Sequence, residues 1–307
     1  MSLMVVDSGF WTTVQDSGRT GYREWGVPVG GAFDRRAADL ANALVGNGLD
    51  SAVLEFTLLG GVLEALGPQA IGLAGAPIDG HVAGTAGQKR PVEVPSSLTL
   101  QPGERLVLGR TTQGARTYLA VKGGLAVPLR LGSRSGEKPL VRGDFLRTTE
   151  SRIPSRSLAD APWEPPASRP IRIIDGPDSR DLIEPESLCG PSFRVGSRSN
   201  RMGLNLESAA IATASRPERL SAPVAPGAVQ LAGGQLIILG VASGTMGGYP
   251  HVAHVISADL DRVGQLRPGD HIRFQQVSVG EARRLDREAR RAHRALLVRV
   301  ASMAVAV

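Results

Sequence analysis

The sequence predicts a mainly β protein of sandwich or barrel type with few helices. Three observations carry this expectation. Short runs of Val, Ile, Leu and Thr recur along the chain, Gly and Pro interrupt them at close intervals, and only two segments hold a helical period. Strands this short need a turn roughly every 8 to 12 residues, the spacing of sandwiches and barrels.

The first helical segment, Asp34 to Gly46, repeats Ala38, Leu40, Ala41, Leu44 and Val45 near a 3.6 period, with Asp34 as its N-cap and Gly46 as its stop. Then come the β runs "SAVLEFTLLGG" from Ser51, "QAIGLAG" from Gln69, "SSLTLQPGERLVLG" from Ser96 and "RTYLAVKGG" from Arg116. In the last, Arg116 and Tyr118 alternate onto one face, while Thr117 and Leu119 take the other. That arrangement aims the planar Arg116 fork at a polar cleft, where it can take a carboxylate. Residues 151–170 are rich in Ser and Pro, sustain neither ladder nor helix, and read as a linker. It separates an N-terminal β-barrel domain, 1–150, from a C-terminal β-barrel domain, 171–307. Beyond it lie "RPIRIIDG", "GQLIILGVASG", "DHIRFQQV" and a basic helix from Val279 to about Arg299. "LQPGERLVLG" at Leu100 and "LRPGDHIRF" at Leu266 share a Pro-Gly turn, an acid and an alternating strand, as a tandem pair of related barrels would.

With 35 basic and 29 acidic residues the chain carries a formal charge of +6, half of it in "EARRLDREARRAHR", Glu281 to Arg294. There Glu281 and Arg284, and Asp286 and Arg290, stand at helical neighbour spacing, which reads as a solvated helix face. Aromatics are only 4% of the chain, too few to stack on bases, so nucleic acid is not the expected partner. No apolar run reaches the 18 or so residues of a membrane helix, and the expected location is the cytoplasm. The single cysteine, Cys189, allows no internal disulfide and no multi-cysteine metal site.

Chemistry concentrates in two polar, glycine-rich stretches. "GTMGGYPHVAHVISADL", from Gly244, lacks the Lys and the following helix of a phosphate loop. Two readings of its glycines stand: a turn with positive φ, or an anion nest of backbone N–H groups helped by the Thr245 and Tyr249 hydroxyls. His251 and His254 are three apart on a strand, which puts them on opposite faces and argues against a shared metal. "TVQDSGRTGYREWGVP" gathers Gln15, Asp16, Arg19, Tyr22 and Arg23, where a local Asp16–Arg19 ion pair is the simpler reading. "LGSRSG" centres on Arg134 and is not a nucleophile elbow.

Taken together, "TVQDSGRTGYREWGVPVGGAFDRRAADLANALVGN", "AVLEFTLLGG", "GARTYLAVKGGL", "LGSRS", "NRMGLNLE", "PGAVQL", "GGYPHVAHVISADL" and "LRPGDHIRF" resemble, in order and over nearly the whole chain, the KipA family. That family includes the C-subunit of 5-oxoprolinase, the second subunit of allophanate hydrolase and the carboxyltransferase region of urea amidolyase. The resemblance implies two cyclophilin-like β barrels, a KipI-like partner and a third LamB/YcsF-like subunit. It further implies ATP use by the assembled complex rather than by this chain, and biotin only in a urea carboxylase setting. Substrate-binding positions implied in this way are Gln15, Asp16, Arg19, Asp34, Arg116, Tyr118, Arg201, Gln230, Thr245, Gly247, Gly248 and Tyr249, with no metal ligand and no assigned catalytic residue. Three functions follow as expectations: a subunit of an ATP-dependent hydrolase of small lactams or amides, a biotin-dependent carboxyltransferase part, or a regulatory protein that holds its partner. The chain departs from the family pattern at "GSRSGEKPLVRGD", at Val241 to Met246, where an Asp and a Thr are missing, and at Asn205.

Overall fold

The computed structural model describes residues 2–158, 163–212, 214 and 220–305. The part of the expected linker at 159–162 lies outside the described residues. Two compact units emerge: residues 1–19, 30–165 and 293–307 form unit 1, and residues 20–29 and 166–292 form unit 2. Both are mainly β. Among the described residues no helix is long and apolar enough to cross a membrane.

Unit 1 holds two six-stranded sheets. In the first the strands run in the order Phe145–Arg147, Ser2–Asp7, Val62–Ala65, Arg105–Thr111, Ile78–Ala83 and Lys89–Pro91. In the second they run Arg156–Ser157, Ser96–Leu100, Gln69–Gly75, Arg116–Val121, Val53–Thr57 and Trp11–Gln15. A core that includes Leu3, Leu54, Phe56, Leu73, Leu106 and Leu119 fills one face of the second sheet. Helix α1 (Arg35–Val45) covers its other face, where Leu40, Ala41 and Leu44 meet Val53, Tyr118 and Ala120. Strands covered on both faces read as continuous apolar runs, and every residue of Gln69–Gly75 and Arg116–Val121 is buried. Gly72 makes the helix seat close: a Cβ there would lie 2.5 Å from the Ala41 carbonyl oxygen. The α1 boundaries match the sequence reading. Asp34 accepts from Ala37 N at 3.0 Å, and Gly46 closes the helix at φ 74°. Arg156–Ser157 corrects the linker expectation, since this stretch does pair with Ser96–Ser97.

Unit 2 is built on one eight-stranded sheet. The order is His271–Ile272, Phe193–Val195, Gly203–Glu207, Gln235–Leu239, Ala228–Ala232, His251–Val255, Ile171–Asp175 and Phe274–Gln276. The two edge strands are separated in sequence by Arg273 alone, so the sheet curls into a nearly closed barrel. Helix α2 (Leu260–Gly264) follows a turn in which the fully buried Asp259 takes the Arg172 Nε at 3.0 Å and the Arg172 N at 2.8 Å. A last helix, α3 (Val279–Val305), runs past the expected Arg299 by roughly one and a half turns. The repeat proves to be a shared turn. Gly103 and Gly269 both take positive φ, and Glu104 and Asp270 each accept the N–H three residues back at 2.8 Å.

Candidate functional site

The expected site residues fall into one group in each unit. In unit 1, the side-chain parity of the second sheet sends Gln15, Glu55, Arg116 and Tyr118 to the α1 side, opposite the Leu54, Phe56 and Leu119 core. Glu55, fully buried, organises this layer. It accepts Tyr118 Oη at 2.8 Å, Phe33 N at 3.0 Å and Arg116 Nε at 3.3 Å. Tyr118 Oη in turn accepts Asp34 N at 2.8 Å, and the Arg116 guanidinium stacks 4.7 Å above the Phe33 ring. Arg116 therefore does bind a carboxylate, but the carboxylate is internal. Burial, then the charges of Glu55 and Asp34, push the Tyr118 hydroxyl well above its ordinary value, so it remains protonated.

Asp16 and Arg19 do not rely on each other. Asp16 Oδ1 accepts the hydroxyls of Ser133 and Ser135, each at 2.6 Å, and Gly18 N at 2.8 Å, while its other oxygen accepts Arg134 N. Arg19 donates to the Ser135 carbonyl. Both thus fasten the 15–19 segment to "GSRS", which replaces the ion pair expected from the sequence. Burial alone would raise the Asp16 carboxyl, yet the two hydroxyls and two N–H groups outweigh it and hold the group below its usual value. Gln15 donates to Thr13 Oγ1 and to the Gly136 carbonyl, both at 2.9 Å, which leaves its buried Oε1 without a hydrogen-bond partner. Beside Asp16 opens a cavity of about 310 Å³ lined by Ser17, Arg35, Asp39, Asp50 and Ser51, large enough for a small polar molecule.

In unit 2, Arg201, Gln230 and Thr245 are buried, and so is Ser243, whose Oγ has no hydrogen-bond partner. Gln230 donates to the Tyr249 carbonyl at 3.4 Å, while the Tyr249 ring is exposed. The glycine stretch is neither a positive-φ turn nor an anion nest. Gly244, Gly247 and Gly248 all lack positive φ, and Met246–Gly247 is a strand paired with Ala222–Pro223. In extended backbone successive N–H groups point to opposite sides, so this stretch does not fit a phosphate. What Gly247 supplies is room: a Cβ there would sit 2.3 Å from Gln230 Nε2. Gly248 is uncrowded, with only Ser221 Oγ in reach at 3.5 Å. Nearby in the chain's pairing, Arg23 donates to the Val224 carbonyl, and Val224 N to the Thr245 carbonyl at 3.0 Å.

The two histidines overturn the simple strand parity. Val229 pairs with Ala253 but Gln230 with His251, so Val252 is an extra residue in a bulge. The bulge brings both rings to one side, with His254 Nδ1 3.3 Å from His251 Nε2. Burial first, then the neighbouring His251, lowers the His254 pKa to about 4. Among the described residues no group of three or more His, Cys, Asp or Glu could hold a metal. Sequence reasoning missed Glu55, Ser133, Ser135 and Ser243. A lone acid inside the apolar run "AVLEFTLL" was the available signal for Glu55.

Residues 25–276 match the family described as carboxyltransferase domain, subdomain A and B. Over 296 residues the chain is 33% identical to the C-subunit of 5-oxoprolinase from Escherichia coli, spanning 91% of this chain and 93% of that protein. It is 31% identical to urea amidolyase of Lachancea kluyveri across 92% of this chain but only 17% of that much longer protein. The solved structure of the K. lactis urea amidolyase superposes with a TM-score of 0.81 at 29% identity, covering 95% of this chain and 20% of that one. By sequence along most of its length and by fold, the chain belongs to the carboxyltransferase domain, subdomain A and B, family.

Proposed function

We propose that this chain is one subunit of an ATP-dependent hydrolase that opens a small lactam or amide, of the 5-oxoprolinase type, and that it works with a KipI-like partner. The observation that carries this reading is the 33% identity to the C-subunit of 5-oxoprolinase, spread over most of that protein. The similarity to the C-subunit of 5-oxoprolinase spans 93% of that protein, whereas the similarity to urea amidolyase spans a 17% segment. ATP belongs to the assembled complex in this reading, since the sequence carries no phosphate-loop motif, and no step is assigned to biotin. We assign amide recognition to the buried neutral groups of unit 2: the Gln230 carboxamide and the Ser243 and Thr245 hydroxyls. Each neutral hydrogen bond contributes only about 0.5–1.5 kcal/mol, so the isolated chain binds its substrate weakly.

The test is reconstitution. The chain is co-expressed with the KipI-like and LamB/YcsF-like proteins, and ATP-dependent release of glutamate from pyroglutamate is measured, with urea plus carboxybiotin as the competing assay. The expected outcome is turnover by the complex and none by the chain alone. Gly247→Ala, which pushes on Gln230, should raise KM about tenfold, whereas Gly248→Ala should leave it unchanged. Turnover of urea but not of pyroglutamate would overturn the assignment.

A further inference from the structure

Helix α3 carries six arginines and three acids between Glu281 and Arg294. The structure pairs every one of those acids. Glu281 and Glu288 both hold Arg284, at 3.0 and 2.7 Å, and Asp286 holds Arg290 at 2.8 Å. Arg283, Arg287, Arg291 and Arg294 remain. All four are exposed, and none forms an ion pair or hydrogen bond with another described residue. Their spacings of four, four and three residues place them within about 80° of one another around the helix, along roughly 16 Å of its length. Further along the helix, within unit 1, Leu296 and Val300 enter the core and His293 Nε2 meets Asp39 Oδ2 at 2.9 Å.

We propose that this arginine stripe is a docking surface for an acidic face of a protein partner; the identity of that partner as the KipI-like subunit rests on the function proposed above. Four guanidinium forks in a row suit carboxylates presented in two dimensions, as on an acidic helix or sheet edge. Charge complementarity of this kind sets encounter rate and orientation, and salt weakens it. A nucleic acid is disfavoured because the stripe is not interleaved with aromatic side chains. A membrane surface is disfavoured because no large apolar side chain stands between the arginines on that face to insert beside them.

The chain and its variant Arg283→Gln/Arg287→Gln/Arg291→Gln/Arg294→Gln are compared, since glutamine keeps helix propensity and all three existing ion pairs stay intact. Affinity for the co-expressed KipI-like subunit is measured at 50 and 300 mM salt. A fluorescein-labelled glutamate-rich 20-residue peptide reads the stripe independently of that subunit. A single-stranded RNA 20-mer and phosphatidylserine vesicles complete the set. The expected result is about tenfold weaker binding of the subunit and of the acidic peptide by the variant at 50 mM salt, with little further loss at 300 mM. Equal affinities and equal salt dependence for wild type and variant would overturn the proposal, as would tighter stripe-dependent binding of RNA or vesicles than of the acidic peptide. Failure of the wild-type chain to bind the KipI-like subunit while the peptide still depends on the stripe would refute the functional reading and leave this one standing.

Discussion

Glu55 shows how one buried charge can fix a neighbourhood. Its carboxylate takes donors from Tyr118, Phe33 and Arg116, which together set the loop that leads into α1. Removing one partner of a buried pair leaves the other charged and unsolvated. Glu55→Gln is therefore expected to cost about 3–5 kcal/mol, read by urea unfolding, while Tyr118→Phe, which loses one neutral bond and one bond to the Glu55 carboxylate, should cost about 2–4 kcal/mol. Asp16 behaves differently because its partners are neutral. Its folded pKa is depressed, so its contribution is fully present above the ordinary carboxylate value near 4 and is lost as pH falls through the lower folded value. Asp16→Asn should reduce the acid-side decline, leaving the parts that His254 and Asp259 contribute, and a pH series of melting curves checks it. An unchanged decline in the variant would assign the effect to another group.

At the scale of elements, most of α1 was legible in the sequence, because period, N-cap and terminal glycine are all local signals and the structure keeps each of them. The bulge at Val252 was not legible. It exists because two neighbouring strands disagree by one residue, which no single stretch of sequence records. For the same reason the glycines of 244–248 misled: two-stranded pairing with Ala222–Pro223, far off in sequence, extended a segment that composition alone marks as a turn. Arg116 was placed on the correct strand face, but its partner comes from the adjacent strand and was invisible without pairing. The bulge has a measurable consequence. His254 is held neutral with a pKa of about 4, while an unfolded histidine titrates near 6.5, so the unfolded chain binds more protons between those values. Stability should fall as pH drops from about 6.5 to about 4, by something on the order of 2–3 kcal/mol. His254→Gln should flatten that part of the profile in urea titrations at pH 7 and pH 4.5; an equal slope in both proteins would remove His254 as the cause. Gly72→Ala, which drives a Cβ into the Ala41 carbonyl, should loosen α1 and cost about 2–3 kcal/mol, seen as lost amide protection in residues 35–45.

For the molecule as a whole, the two units are not two consecutive lengths of chain. Residues 20–29 leave unit 1 early to join unit 2, and residues 293–307 return to unit 1 after unit 2 is complete. The β runs that announce both units are local and readable, while these two exchanges are long-range and are not. Truncation after Ala292 is expected to remove the Leu296 and Val300 packing from the layer of Tyr118 and Ala120, and to destabilise unit 1 by about 4 kcal/mol, with proteolysis first detected around α1. The route of the chain also constrains its birth. A ribosome releases the α1 layer's final cover only after the whole of unit 2, so unit 1 stays uncapped while that unit is being made. Whatever attends the nascent chain must shield α1 and its sheet for the time needed to translate some 130 further residues, from Pro166 to Ala292, on the order of ten seconds at about 5–20 residues per second.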